Sequence, residues 1–198
     1  MIAALDPASQ ISASSFARRL PLSRDALAAL DGADGNVRSF LNDLIGRGLP
    51  ADALTLIAHV LPKRYVVAWA CDCLKAVIAR DPRQGDMDRA GLALTQQWLA
   101  DPTEDNRRAA LEFAERGEFG SPGAWIAASA GWSDGSLLPR GYDVIAPPDH
   151  LPAEAAVAAL RLAASRGPQY AQTINEFIAR ALKLFGPAVP AATDAKVG

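Results

Sequence analysis

Residues 62–80 constrain the fold more than any other segment, because they form a long apolar run that also carries both cysteines of the chain. Pro62 suits a first helical position, where its missing N–H would have had no partner. Apolar residues then recur at helical spacing in two adjacent stripes, which are Val66, Trp69, Ala70, Cys73 and Val77, and Val67, Cys71, Leu74 and Ile78. A helix that is apolar around most of its circumference must be covered on most sides. We therefore expect this helix to lie at the centre of the protein.

The charges within this segment argue against a membrane span, although its length would allow one. Asp72 and Lys75 lie near its middle, where each charge would be costly in lipid. Their i, i+3 spacing predicts a local ion pair on the helix surface instead.

The two cysteines invite a metal site, but helical geometry disfavours one. Cys71 and Cys73 are two residues apart, and such side chains point about 200° apart on a helix, so they cannot bind the same ion. Only His59 and His150 could add imidazole ligands for zinc. We expect buried, structural thiols, and we expect no metal and no cofactor. The residues that we assign to the structural core are Trp69, Cys71, Cys73 and Trp98.

The rest of the chain predicts an all-α fold of about eight helices in one compact domain. Helical spacing recurs between Pro and Gly breaks, and no segment alternates convincingly like a strand. Ser23 suits the N-cap of one helix, and Asp101-Pro102-Thr103-Glu104 resembles a capping box at the start of another. Ala124–Ala130 predicts a short buried helix, and His59 lies near a helix end, where its ring could bond the carbonyls of the last turn.

Length and charge bound the organisation of the chain and its partners. The chain has 198 residues, and we expect a flexible N-terminus over residues 1–15, a helical domain over 16–185 and a disordered, Pro- and Ala-rich tail over 186–198. The net charge is −2 and basic residues are spread thinly, which does not indicate nucleic-acid binding. The start of the chain lacks the pattern of a signal peptide, and unpaired thiols suit a reducing cytoplasm.

Residues 131–152 form the longest segment without helical spacing, and loops of that length in compact domains are often functional. The loop is rich in Trp, Tyr and Arg, the residue types enriched at interface hot spots. Its candidate contacts for a partner protein are Trp132, Arg140, Tyr142, Pro147 and Pro148. The alternative is a strap that packs across the helices, with Trp132, Val144 and Ile145 buried beneath it.

Two arginines on a preceding helix extend this candidate site. Arg107 and Arg108 follow Glu104 and Asp105, and such a pattern is typical of a solvated face with salt bridges. Alternatively, the two guanidinium groups grip the long loop or bind a carboxylate of a partner, because their forked geometry suits such contacts.

Gly131-Trp132-Ser133-Asp134-Gly135 matches the G-x-S-x-G motif of serine hydrolases, but its context does not. The preceding segment is Ala-rich and predicts a helix, whereas the motif requires a strand before the serine. His150 follows only 17 residues later, which is too near for the usual order of a hydrolase triad. We therefore expect no catalytic residue in this chain.

Several motifs across residues 36–185 together resemble one known family. One match runs from Gly48 to Arg64 and continues in Trp69-Ala-Cys-Asp-Cys, and its specific part is the run from Ala-His-Val-Leu-Pro-Lys-Arg (58–64) to Trp69-Ala-Cys. Weaker matches are Trp98, Asp101-Pro102, Arg107-Arg108, Trp132–Pro139 and Pro147-Pro148. They resemble an uncharacterised bacterial family, a domain of unknown function. The chain departs from that pattern in having a loop with fewer prolines, and in having Ala68 where the family often carries a second tryptophan.

The resemblance implies a cytoplasmic accessory or adaptor protein, because the family is associated with gene neighbourhoods of type VI secretion. It implies no catalytic residues. Our first expectation is a non-enzymatic helical module that binds other proteins, such as a secretion spike or an effector. The alternatives are an immunity protein that neutralises a toxin and, less favoured, a hydrolase that uses Ser133.

Overall fold

The structure, a computed structural model, describes residues 11–30, 35–81 and 85–185. These residues form ten helices and one isolated bridge between Ser12 and Asn36, with no β-strand, so the all-α prediction is confirmed. The helices are α1 (Ala13–Ala17), α2 (Arg24–Leu30), α3 (Val37–Gly46), α4 (Pro50–Val60), α5 (Lys63–Arg80), α6 (Asp86–Ala100), α7 (Glu104–Arg116), α8 (Pro122–Gly131), α9 (Leu151–Ser165) and α10 (Tyr170–Leu182).

Helix α5 lies at the centre and packs against α6, α8, α9 and α10. Trp69 is only 3% exposed, and its indole Nε1 donates a hydrogen bond to the carbonyl oxygen of Phe177 on α10 at 2.9 Å. The free thiols of Cys71 and Cys73 are buried on the same helix, and Trp98 is buried on α6. Burial and one hydrogen bond therefore fix α5 to the C-terminal helix.

Helix α8 is a wedge of small residues between α6, α7 and α9. Nine of its ten residues are buried, and most of them are Ala, Gly or Ser. Its backbone touches that of α6 so closely that a Cβ added to Gly91 would lie 2.0 Å from the carbonyl oxygen of Gly123. Asp88, at 1% exposure, accepts a hydrogen bond from the Gly123 N–H at 3.0 Å and thereby caps α8 from its neighbour.

Local details differ from the sequence predictions in three places. Asp72 does not rely on Lys75: its Oδ2 lies 2.5 Å from Nη1 of Arg180 on α10, because the two helices pack side by side. The N-cap of α7 is Thr103, whose side chain accepts from the Asn106 N–H, so the Asp101 capping box is wrong in register by two residues. Helix α1 begins at Ala13, within the segment expected to be flexible.

The Ser23 cap is confirmed, since its Oγ accepts from the N–H of Ala26 at 3.2 Å. Residues 1–10 and the tail over 186–198 lie outside the described residues. None of the helices that the structure describes is both long and apolar enough to cross a membrane.

Candidate functional site

The loop over residues 131–152 is anchored at its base by the buried side chain of Arg107, which is 1% exposed. The guanidinium group donates to the carbonyl oxygen of Gly131, where the loop begins, and to that of Ser136 at 3.1 Å. Its Nε and Nη2 also bond the two carboxylate oxygens of Glu104 at 2.6 and 2.8 Å. One side chain on α7 thus fixes two points of the loop, and a carboxylate fixes that side chain in turn.

Glu104 is ionised by the same arrangement. The Arg107 guanidinium, which donates to this carboxylate, holds the pKa of Glu104 below its usual range, and Arg108 adds to the effect. The Arg108 Nε lies 2.5 Å from Glu104 Oε1. Because Arg108 Nη2 also donates to the carbonyl oxygen of Leu138 at 3.0 Å, a third point of the loop is held by α7.

Gly135 lets the loop turn directly over this ion pair. Its backbone has a φ of +72°, a left-handed conformation that side chains other than hydrogen disfavour. A Cβ at this position would lie 2.6 Å from Nε of Arg107 and 2.7 Å from Oε2 of Glu104. The glycine is therefore required both by the turn and by the closeness of the buried arginine.

Trp132 belongs to an aromatic cluster at the base of the loop. Its ring stacks on that of Phe119, with centroids 5.7 Å apart, and meets Trp125 edge-on at 6.5 Å. Phe119 itself has a φ of +52°, so the turn after α7 adopts a strained backbone that brings this ring to the cluster. The tryptophan is half-buried, and it joins the loop to both α8 and the preceding turn.

The tip of the loop, in contrast, stands clear of the helices. Tyr142 is 71% exposed, Val144 78% and Ile145 50%. The expectation that Val144 and Ile145 are buried beneath a strap is therefore wrong. The tip is nevertheless ordered by Ser136, whose Oγ accepts from the Ile145 N–H at 3.1 Å, and by a hydrogen bond from the Leu137 N–H to the carbonyl of Ile145 at 2.8 Å.

The structure separates the seven predicted binding residues into two groups. Arg107, Arg108, Trp132 and Pro147 are buried or half-buried, whereas Arg140, Tyr142 and Pro148 are exposed. Arg140 forms an ion pair with Asp105 across the loop. Sequence reasoning missed the exposed pair Val144 and Ile145, although two adjacent β-branched residues outside any helical pattern were a usable signal.

The Gly-x-Ser-x-Gly segment lacks the surroundings of a nucleophile. Ser133 is 7% exposed, and its Oγ donates to the carbonyl oxygen of Ser129, one turn earlier, at 2.8 Å. The serine follows helix α8, whereas the hydrolase motif places it between a strand and a helix. Both histidines line a different part of the surface. The hydroxyl thus serves to terminate α8.

The cysteines are chemically quiet. Burial, together with the neighbouring Asp72 carboxylate, raises the pKa of the Cys71 thiol to about 11 and raises that of Cys73 as well. Both side chains are protonated at neutral pH and are poor nucleophiles and poor ligands in that state. Across the described ranges, no group of three or more His, Cys, Asp or Glu side chains is arranged to hold a metal ion.

The end of the loop borders a second feature, a cleft that both histidines of the chain line. His59 comes from the last turn of α4 and His150 from the residue before α9. The Nε2 atom of His59 is buried and has no hydrogen-bond partner among the described residues. Lys63 Nζ and Asp149 Oδ1, 2.6 Å apart, form an ion pair at the rim.

Comparison with known proteins gives a family and no further relative. No curated protein matches the chain, and no solved structure does. The model of a family of unknown function, DUF6931, matches residues 40–185. This range includes α4 to α10, the loop over residues 131–152 and most of the residues that line the cleft. The chain therefore belongs to the DUF6931 family of unknown function.

Proposed function

We propose that this protein is a non-enzymatic, cytoplasmic interaction module that binds another protein through the tip of the loop over residues 131–152. The observation that carries the proposal is the exposure of Tyr142, Val144 and Ile145 on a loop whose base is fixed by Arg107. Adjacent exposed apolar side chains are costly in water and mark contact surfaces in many proteins. A loop held in place before binding loses less conformational entropy when the partner arrives.

The surroundings of the tip favour a protein partner with an apolar pocket and a polar rim. Tyr142 combines a large apolar ring with a hydroxyl group, which is the residue chemistry enriched at interface hot spots. The exposed Arg140 and Asp105 ion pair borders the tip and offers both signs of charge to the edge of a contact. Pro148, also exposed, lies three residues after Ile145 in the same loop.

The finer form of the proposal is that the partner belongs to a type VI secretion apparatus, as a spike or an effector protein. Its support is the resemblance described for the sequence motifs. An immunity protein that neutralises a toxin would use the same surface, so the identity of the partner separates the two. In the first case the partner is a component of the apparatus, and in the second the protein is needed only where one toxin is present.

The experiment is an affinity capture in cells of the organism that encodes the protein, with three forms of the full-length chain as baits. They are the wild type, a loop-tip variant (Tyr142→Ser, Val144→Ser, Ile145→Ser) and a control variant (Ile45→Ser, Tyr170→Ser) that removes exposed apolar side chains 38% and 37% exposed at two helix ends. Each partner captured by the wild type is then purified and its affinity for all three proteins is measured by calorimetry.

We expect the loop-tip variant to lose at least about tenfold in affinity, since hot-spot side chains commonly contribute that much or more. The control variant should bind like the wild type. If the loop-tip variant captures every partner with unchanged affinity, the loop is not the contact surface and the proposal fails.

A further inference from the structure

A cleft of about 490 Å³ opens where α1, the end of α4, the start of α5 and the start of α9 meet. Its volume falls within the range of about 300–1,000 Å³ that is typical of small-molecule sites. Apolar side chains form much of its wall, namely Phe16, Leu20, Leu61 and Val66. The loop-tip residues Tyr142, Val144 and Ile145 do not line the cleft, so the cleft is separate from the surface proposed for protein binding.

His59 lines the cleft and carries a buried nitrogen that has no hydrogen-bond partner among the described residues. Nε2 of His59 is inaccessible to solvent and has no hydrogen-bond partner among the described residues, which costs about 1–3 kcal/mol for a buried polar atom. Burial lowers the pKa of His59, although Glu154 opposes this effect and His150 adds slightly to it. The imidazole is consequently neutral at pH 7 and adds no positive charge to the cleft.

Among the residues that the structure describes, one cation at the rim of the cleft, Arg19, has no ion-pair partner. Lys63 is neutralised by Asp149, with Nζ and Oδ1 2.6 Å apart. Glu154 faces His150, with Oε1 and Nε2 3.9 Å apart. Arg19 also lines the cleft, and its guanidinium group forms no ion pair with any described residue. The side chain that remains available to a charged ligand is therefore a positive one with a forked geometry suited to carboxylates.

We infer that this cleft binds a small organic acid with an apolar body. The carboxylate bonds the Arg19 guanidinium at the rim, and the His59 side chain lines the cleft without bonding the ligand, because its Nε2 is closed to solvent. The apolar part of the ligand covers Phe16 and Leu20, which are the part-exposed apolar groups of the wall. A cationic or neutral ligand of the same shape would leave Arg19 unpaired.

The two histidines provide a direct readout, because the chain contains no others and both line the cleft. The imidazole Hε1 resonances of the full-length protein are followed by NMR during titration with three acids, phenylacetate, 3-phenylpropionate and octanoate. Phenylacetamide and phenethylamine serve as the neutral and cationic counterparts of phenylacetate. Assignment of the two signals comes from the His59→Leu and His150→Gln variants.

We expect at least one acid to shift both signals with a single saturating curve, and its affinity to exceed that of the amide and the amine by about tenfold. Arg19→Gln should remove this preference for the acid. Arg18→Gln is the matched control, because it removes the same charge from the adjacent position without lining the cleft, and it should leave the preference unchanged. Thermal melts of each variant establish that the fold is retained.

Three results would overturn the inference. One is the absence of saturable binding by all three acids, and the second is an affinity for the amide or the amine that equals that of the acid. The third is an acid affinity that falls equally in the Arg18 and Arg19 variants, which would indicate attraction by net charge rather than a site.

Discussion

At the scale of single residues, the side chain that organises the candidate site is Arg107. It has the largest side chain among the fully buried residues, and it donates four hydrogen bonds, two to backbone carbonyls and two to one carboxylate. A lysine could not reproduce this arrangement, because an ammonium group lacks the planar fork. The loop over residues 131–152 thus depends on an arginine that is not part of it.

Arg107→Met should lower the free energy of unfolding by about 2–4 kcal/mol, since the carbonyl oxygens of Gly131 and Ser136 lose their buried donor and each such loss costs about 1–3 kcal/mol. Arg108→Met is the matched control, because it removes a half-buried arginine that donates to one loop carbonyl, that of Leu138. Urea denaturation measures both variants. Equal losses in the two would show that the buried arginine has no special role.

At the scale of elements, the packing of α8 depends on the small size of its side chains. A helix made largely of Ala, Gly and Ser has low ridges, so neighbouring backbones approach it closely. The two backbones approach each other very closely at Gly91 on α6 and Gly123 on α8. The position of the loop depends on α8, because the loop begins at Gly131, the last residue of that helix, whose carbonyl accepts from Arg107.

Gly91→Ala should destabilise the protein by about 3 kcal/mol, because the added methyl group would overlap the backbone of α8 and force the two helices apart. Gly46→Ala is the control: this glycine also lies within a helix, nothing approaches its Cβ position within 4 Å, and alanine there should add about 0.5–1 kcal/mol of stability. The test is the difference in melting temperature and in the free energy of unfolding. If both substitutions stabilise the protein, the close helix contact does not exist in solution.

At the scale of the whole molecule, periodicity alone predicted the helices but not the contacts between distant residues. The apolar stripes of α5 predicted its burial, because a helix that is apolar on most sides must be covered by other elements. Nothing in the local pattern distinguished Arg107 from a solvated arginine, because its acceptors are backbone carbonyls 24 and 29 residues away. For the same reason Asp72 was assigned to a near neighbour rather than to Arg180, which follows 108 residues later.

The cleft shows a similar limit. The sequence relates His59 and His150 only as possible zinc ligands, and otherwise indicates a helix-end residue and a poorly placed triad partner. Their meeting at one cleft results from the packing of α4 beside α9, which no spacing within the sequence encodes.

Trp69→Ala should cost about 3–5 kcal/mol, because it empties the centre of the bundle and removes the hydrogen bond to the Phe177 carbonyl. Trp132→Ala removes an aromatic ring of the same size from the half-buried cluster at the edge, and it should cost clearly less. Chemical denaturation monitored by circular dichroism gives both values. A larger loss for Trp132 would place the centre of the fold near the loop and not at α5.

The burial of α8 has a consequence for how the protein can change over evolutionary time. A larger side chain on this helix needs a smaller one on α6, α7 or α9, so we expect single enlargements there to destabilise the protein. Tyr142, Val144 and Ile145 at the tip of the loop have no such restriction, because their side chains are exposed to solvent. New binding preferences can therefore be acquired there one residue at a time, on a frame whose close packing tolerates little change.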